Sequence, residues 1–338
     1  MIDLDLMKPI TLEQAEATQR RLSFNHVMRN EVEVKVRKLA SGYQGEKKLH
    51  YFLGLIPDKK YHIFHGLRLP AEKSFFQTDA HLLSTKLIIL IESKNYSGKL
   101  SIEKLQLTQE INDTKLVYEN PLAQVNRHKL LLLYFFEKYQ IPPIPIETLV
   151  VFTKSSAEIN IAPGYTEAEK KICKASNLLK KIEEIERYYR KESVDQKTIG
   201  KIKRLLLNKH TPFRSDFLKT MGIDKGDIVT GVRCPKCEFG PMKYKRNHWK
   251  CPKCNHISNN AHLEAINDHF LIIKATITNS ELRELLHLPT RRASTYVLTL
   301  LNLPSTGSKR GSIYHQPKSF PLSTNYVSPH NTNTIKNK

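Results

Sequence analysis

The sequence predicts an α/β domain with smaller basic modules attached to its C-terminal side, and three observations predict it. Strand-like segments are bracketed by amphipathic helices in the order helix, three strands, helix, strand, which is the pattern of an α/β layer. Within that order, LIILI at residues 87–91 is an unbroken apolar run with the length and composition of a strand buried on both faces. Far downstream, four of the five cysteines fall into two Cys-x-x-Cys pairs, in a stretch too short to bury a core of its own.

Residues 1–40 are charged and read as an N-terminal helical segment, with Thr11 and Gln14 at capping-box spacing. VEVKV at 32–36 alternates, so strand stays open there. The α/β domain is expected over 41–160. Leu49, Phe52, Leu53 and Ile56 recur at helical spacing. YHIFHGLRL, SFFQTDAHLLS and LIILIES follow as three strands, with KLVYE near 115 as a candidate fourth. Asn120 and Pro121 have the residue types of a helix start, so NPLAQVNRHKLLLLYFFEKY reads as a helix that Pro142, Pro143 and Pro145 end. ETLVVFT then returns as a buried strand. A helical connector is expected over 161–230, with Cys173 a small core residue in a helical context. The cysteine module spans 231–258, and a last folded piece spans 259–317. The Ser-, Thr- and Asn-rich stretch 318–338 reads as a disordered tail.

The 54 Lys and Arg against 33 Asp and Glu give a formal net charge of +21 over 338 residues. Such an excess favours a polyanionic partner, and nucleic acid is expected ahead of a merely basic surface or attraction to anionic lipid; DNA is the expected polymer, although charge does not separate it from RNA. The opening MIDLDLMKPITLEQ lacks the basic-then-apolar order of a secretory signal. No apolar run reaches the roughly 20 residues of a membrane helix. A soluble cytoplasmic protein without a membrane partner is therefore expected.

LIILI is followed at once by Glu92, with Lys94 two positions on. The period of a strand sends both side chains to one face and Ser93 to the other. Pairing of 74–83 with 87–95 would set Asp79 beside Glu92. A buried leucine would contribute roughly 1.5–3 kcal/mol there, whereas an uncompensated buried carboxylate costs several kcal/mol. Two adjacent carboxylates disfavour each other further, and a divalent cation removes that penalty. Oxygen-only ligands suit Mg²⁺ or Mn²⁺. An ion pair at a strand end is the competing structural reading.

In TDAHLLSTKLIILIESKNYSGKL the sequence resembles the core of the nuclease-related domain (NERD) family, assigned to the restriction-endonuclease-like superfamily. The resemblance covers roughly residues 40–155. It includes Gly42, the Gly45-Glu46 step at the opening of a helix, the run from Lys94 to Gly98, and Asn120-Pro121 with Gln124. It implies a restriction-endonuclease-like mixed sheet flanked by helices, with Asp79 and Glu92 as metal ligands and Lys94 assisting the attacking water. Glu46 is then an additional acidic ligand and Gln124 an accessory polar group. For these two, a helix-dipole placement and an ordinary surface amide stay open as alternatives. Ser93 departs from the pattern, which carries an apolar residue there. His62, His65, His81 and His128 lack consistent ligand spacing and read as packing or surface residues.

Cys234, Cys237, Cys251 and Cys254 are spaced C-x2-C, thirteen residues, C-x2-C. This is the pattern of a zinc ribbon with a structural Zn²⁺ and no open coordination position. Lys243, Lys245, Arg246 and Lys250 alternate with Tyr244 and Trp249, a mixture suited to phosphate contact and base stacking. ITNSELRELLHLPTRRASTYVLTLLNL reads as two helices around a tight turn, the second capped by Thr290 and burying Ala293, Tyr296, Val297, Leu300 and Leu301. Arg291 and Arg292 open that second helix, where the dipole disfavours cations and where helix-turn-helix proteins touch DNA. Lys309 and Arg310 would form the basic tip of a following hairpin, giving a winged-helix-like domain; a helical domain for protein contacts is the alternative. The expected function is a metal-dependent nuclease with nucleic-acid-binding appendages, against a catalytically silent nucleic-acid-binding protein of the same fold.

Overall fold

The structure, a computed structural model, describes residues 1–322. They divide into two compact units. The first is made of 1–9 and 37–213, the second of 10–36 and the residues from 214 onward. The expected N-terminal segment 1–40 is thus shared between them. The chain opens on β1 (Ile2–Leu4), α1 (Ile10–Arg21) and α2 (Arg29–Leu53). Residues 32–36 are helix, not strand: Val32 and Val36 lie one turn apart and join one apolar cluster, while Val34 is exposed.

In the first unit follow β2 (His62–His65), β3 (Arg68–Ala71), β4 (Ser74–Gln77), β5 (Ala80–Leu83) and β6 (Ile88–Lys94). Two of the three expected strands are therefore each broken in half. Gly66, at φ +58°, turns the chain out of β2. The Gly66 N–H donates to the Asp79 carbonyl (2.9 Å) and the Thr78 N–H to the Leu67 carbonyl (3.2 Å). β3 and β4 form a separate hairpin beyond that waist.

Next come β7 (Gly98–Ile102), β8 (Gln106–Ile111), β9 (Thr114–Glu119), α3 (Pro121–Lys138), β10 (Ile146–Phe152), β11 (Ala157–Ile161), α4 (Thr166–Lys171), β12 (Ile172–Lys174), α5 (Leu178–Glu186) and α6 (Gln196–Lys209). The central mixed sheet runs β1-β2-β5-β6-β10-β12, with β6 parallel to β10 and antiparallel to β5; β11-β7-β8-β9 form a second sheet. Asn120 caps α3, its side chain accepting from the Leu122 N–H, with Pro121 in the first turn. Cys173 sits in the edge strand β12, so its expected helical context is corrected, although its side chain is buried.

Alternation along the central strands sorts two cores. Ile88, Leu90, Ile146, Val150 and Phe152 pack with Leu122, Val125 and Leu132 of α3. Ile89, Ile91, Leu149 and Val151 pack with Leu49 and Leu53 of α2. Even-numbered positions of β6 thus look toward α3 and odd-numbered ones toward α2.

The second unit continues with α7 (Phe217–Thr220), β13 (Lys243–Lys245), β14 (His248–Lys250), β15 (Ile257–Ser258), α8 (His262–Ile272), β16 (Thr276–Thr278), α9 (Asn279–Leu286), α10 (Arg291–Leu301), β17 (Ser305–Thr306) and β18 (Ile313–His315). The strands form two small antiparallel sheets, β13-β14-β15 and β16-β18-β17. Buried Asp268 of α8 receives Arg20 (2.6 Å) and Arg21 (2.7 Å) of α1, and Arg21 also donates to the Gly231 carbonyl (2.6 Å). Gln14 makes no capping box. Its amide is buried and donates to the Ser215 and Leu271 carbonyls, at 2.8 and 2.9 Å. Of the expected tail, residues 323–338 lie outside the described residues. Leu322 is buried and bonded to Asn267 through both its N–H and its carbonyl, so order extends past the expected boundary at 317.

Candidate active site

The waist that breaks the β4–β5 segment leaves Asp79 immediately before β5, and the register pairing Ala80 with Ile91 carries it to the level of Glu92. Asp79 Oδ2 accepts from the Ser93 N–H and from Ser93 Oγ, both at 2.7 Å. The residue that departs from the family pattern therefore fixes the carboxylate of Asp79. Nothing in the local sequence of Ser93 signals this partner fourteen residues away.

Glu92 and Lys94, on the α3 side of the sheet, meet Gln124 there. Lys94 Nζ donates to Glu92 Oε1 (2.7 Å) and to Gln124 Oε1 (2.8 Å), and Gln124 Nε2 donates to the same Glu92 oxygen (2.8 Å). These three side chains close a ring, and Gln124 is no ordinary surface amide. One turn further along α3, His128 Nδ1 lies 3.9 Å from Glu92 Oε2. His128 was expected as an unremarkable packing residue. Its i, i+4 spacing from Gln124 was the available signal.

Glu46 comes from the middle of α2, far from either terminus, so a helix-dipole placement is excluded. Gly45 brings that turn onto the strand ends. A Cβ there would stand 2.8 Å from Asn95 Cβ and 2.9 Å from Thr153 Oγ1, closer than side chains tolerate.

Burial, followed by the charges of Asp79 and Glu92, pushes the Glu46 carboxyl up to about 8. Glu92 is only 5% exposed. Burial, then Asp79, raises its carboxyl to about 7, with Lys94 and Gln124 holding it back. Burial works against the Lys94 ammonium, but Glu92 and Asp79 overcome it and hold the group above its ordinary value. Burial, with Arg127 and Lys94, drops His128 to about 4, so its ring is neutral. His81 is fully buried with neither ring nitrogen hydrogen-bonded, and it falls to about 3.

Three carboxylates thus face one ammonium, and two of them resist ionisation. Such an oxygen-only donor set fits a hard divalent ion in charge and ligand type. Its ligand atoms do not gather as tightly as those of the cysteines. Among the described residues, Cys234, Cys237, Cys251 and Cys254 are the group of candidate ligands lying within 4.8 Å of one another.

Those four sulfurs form a cluster consistent with a zinc ribbon. Cys234 and Cys254 Sγ are 3.6 Å apart, as are Cys237 and Cys251. Tetrahedral Zn–S bonds of about 2.3 Å require edges of about 3.8 Å. The two knuckles share a backbone device: Glu238 and Asn255, each following a second cysteine, have φ of +58° and +56°. Trp249 is buried and donates to His262 Nδ1 (3.1 Å), so it packs the module and is not offered for base stacking. Lys243, Lys245, Arg246 and Lys250 are exposed on the ribbon.

On α10 the buried face differs from the expected one. Ser294, Val297, Leu298 and Leu301 are buried, and Tyr296 is turned outward. Ser294 Oγ donates to Asn279 Oδ1 (2.8 Å), which fixes this phase. Arg291, Arg292, Thr295 and Tyr296 consequently form an exposed surface at the helix start. Lys309 is exposed in the turn between β17 and β18, a turn that also contains Arg310. Among the described residues no helix is long and apolar enough to cross a membrane.

In comparisons with known proteins, no curated protein and no solved structure matches the chain. The family model of the nuclease-related domain, NERD, matches residues 41–153.

Proposed function

With residues 41–153 a nuclease-related domain, we propose that the chain is a phosphodiesterase of nucleic acid, acting on DNA and dependent on Mg²⁺ or Mn²⁺. The observation that carries this reading is the meeting of Asp79, Glu92 and Lys94 at the ends of two adjacent buried strands, with Gln124 bonded to both members of the ion pair. The sheet around them is read as restriction-endonuclease-like.

Asp79, Glu92 and Glu46 would hold the cation, which when bound supplies Lewis acidity and neutralises charge at the scissile phosphate. Ser93 fixes Asp79 through two hydrogen bonds, and Gln124 with Lys94 fixes Glu92, so the carboxylates are oriented before substrate arrives. Lys94 keeps its proton. Released from Glu92 Oε1, Nζ can orient the attacking water or donate to charge developing on a phosphate oxygen.

The second unit is read as a zinc ribbon followed by a winged-helix-like module. From α8 onward its order is helix, strand, helix, helix, strand, strand. Arg291 and Arg292 begin the recognition helix, Lys309 and Arg310 lie in the wing, and Lys243, Lys245 and Arg246 extend the basic surface on the ribbon. Contacts of this kind supply affinity and registration on the phosphate backbone.

Incubation of plasmid DNA with the full chain tests the reading. Mg²⁺- or Mn²⁺-dependent nicking is expected for the wild type and should vanish in Glu92→Ala; equal nicking by the variant would refute the assignment. One observation favours a second reading, a silent nucleic-acid-binding protein: Lys94 and Gln124 both occupy Glu92 Oε1. Binding without cleavage across Mg²⁺, Mn²⁺ and Co²⁺ would establish it.

A further inference from the structure

One groove of the first unit plays no part in the chemistry described above. It has a volume of about 490 Å³ and is lined by Gln44, Lys47, Lys48, Asn95, Thr153, Lys154 and Ser155. Its position follows from the alternation along β6. Lys94 points to the α3 side, and Asn95, the next residue, points to the α2 side. The parallel register pairing Phe152 with Lys94 places Thr153 beside Asn95. The groove therefore lies beyond the carboxyl ends of two neighbouring parallel strands, a common place for ligands in α/β sheets.

Its floor is built. Thr153 is buried and donates to Asn95 Oδ1 (3.1 Å), while Asn95 Nδ2 donates to the Ser41 carbonyl (2.7 Å). The rim is cationic. Gln44, Lys47 and Lys48 stand three and four residues apart, on one face of α2. Lys154 faces them from the end of β10, and Lys174 reaches the Ser155 carbonyl (3.3 Å). No carboxylate lines the groove, and none of Lys47, Lys48 and Lys154 forms an ion pair among the described residues. Elsewhere in this unit an exposed lysine does find an acid, as Lys60 does with Glu186 (2.9 Å), and half-buried Lys171 pairs with Glu167 (3.1 Å).

We infer that this groove is a backbone subsite, taking a phosphodiester of the polymer that flanks the one presented to Asp79 and Glu92. The inference rests on the nuclease reading for its ligand. Gly45 is the link between the two places. Its contact with Asn95 and Thr153 separates Glu46, on the carboxylate side of α2, from Gln44 and Lys48 on the groove side. A strand lying across that contact would meet carboxylates at one phosphate and ammonium groups at a neighbouring one. Anionic strand is thereby held where the acidic centre alone would repel it.

The test measures binding without turnover. Full-length wild type and the triple variant Lys47→Gln/Lys48→Gln/Lys154→Gln are titrated with a fluorescein-labelled DNA duplex in EDTA, across a series of salt concentrations. Each phosphate contact contributes about 0.7–0.9 to the slope of log K against log [salt]. The triple variant should therefore lose about 0.9 from that slope, the contribution of the single phosphodiester the groove holds on a duplex. In the wild type, acetylation of the same three lysines should slow on addition of the duplex but not of inorganic phosphate. An unchanged slope, unchanged acetylation, or equal protection by inorganic phosphate overturns the subsite. Because no divalent ion is present, failure of the nuclease reading would appear only in the nicking assay and failure of the subsite only here.

Discussion

Glu92→Gln is the sharpest perturbation of the acidic centre, because it separates what the carboxylate costs the fold from what it does for a cation. In the folded chain the Glu92 carboxyl lies at about 7 against an ordinary 4.5. The folded state therefore holds this proton longer than the unfolded state does. Stability from the neutral acid is fully present below pH 4.5 and is lost as pH rises toward 7, the direction opposite to an acid stabilised by a salt bridge. By pH 8 the ionised group costs about 3 kcal/mol, at about 1.4 kcal/mol per tenfold change in acidity. Glutamine mimics the protonated acid and keeps an oxygen for Lys94 and Gln124. In EDTA, Glu92→Gln should thus stabilise the first unit by about 3 kcal/mol at pH 8, and by less than about 1 kcal/mol at pH 5. Hydrogen exchange of the β5, β6 and β10 amides reads this directly, since those strands form the centre of the sheet. Mn²⁺ at one hundred times its Kd should stabilise the wild type by about 2.7 kcal/mol and the variant much less. Destabilisation by Glu92→Gln at pH 8, or an equal gain at both pH values, would refute the electrostatic account of the site.

Ser93→Ala removes both the hydroxyl and its bond to Asp79, and should weaken Mn²⁺ binding by about 10- to 100-fold, measured by calorimetry, with the sheet intact. Gly45→Val should destabilise the first unit by about 1–3 kcal/mol through overpacking against Asn95 and Thr153, seen as a lowered melting temperature. In the second unit, Asp268→Ala strands the buried Arg21 guanidinium and should cost about 3–5 kcal/mol in urea titrations followed by Trp249 fluorescence. Cys251→Ser should abolish the uptake of one Zn²⁺ per chain, measured by elemental analysis, and should expose Trp249, seen as a red-shifted emission.

The chemistry was legible in the sequence wherever a single period governed it. Alternation along 87–94 placed Glu92 and Lys94 on one face, and cysteine spacing alone marked the zinc-ribbon cluster. Reading stopped where a distant partner decides the local form. The break at Thr78 and Asp79 depends on hydrogen bonds to Gly66 and Leu67 across the waist, and SFFQTDAHLL contains neither glycine nor proline to mark it. Residues 32–36 satisfy both the strand and the helix period, and the burial of Val32, with Val36 packed partly buried on the same cluster of the second unit, decides between them. The phase of α10 was misread because Tyr296 outranks Ser294 in hydrophobicity. A single hydrogen bond to Asn279 makes the serine the better core residue there. Ser93 and His128 escaped for a related reason, since their importance lies wholly in what stands opposite them.

Two buried ionic clusters in this chain show why the one at Glu92 reads as a working site and the other as a fastener. Around Asp268 both carboxylate oxygens receive a guanidinium within 2.7 Å, and Arg21 spends a further donor on a backbone carbonyl. Both oxygens of the acid there are already met by direct bonds, so an added cation would find no free carboxylate oxygen on Asp268, although Arg20 Nε and Arg21 Nη2 are buried without a hydrogen-bond partner. At the strand ends the balance is reversed. Three acids share one ammonium, Glu46 makes no hydrogen bond among the described residues, and both bonds to Glu92 fall on a single oxygen. Leucine at position 92 would contribute roughly 1.5–3 kcal/mol by burial and would remove the cost of ionisation besides. A protein carrying +21 overall nevertheless sets three of its carboxylates near one another at this point. Under the proposed function, a cation held by Asp79, Glu92 and Glu46 and an anionic strand beside it would offset that cost.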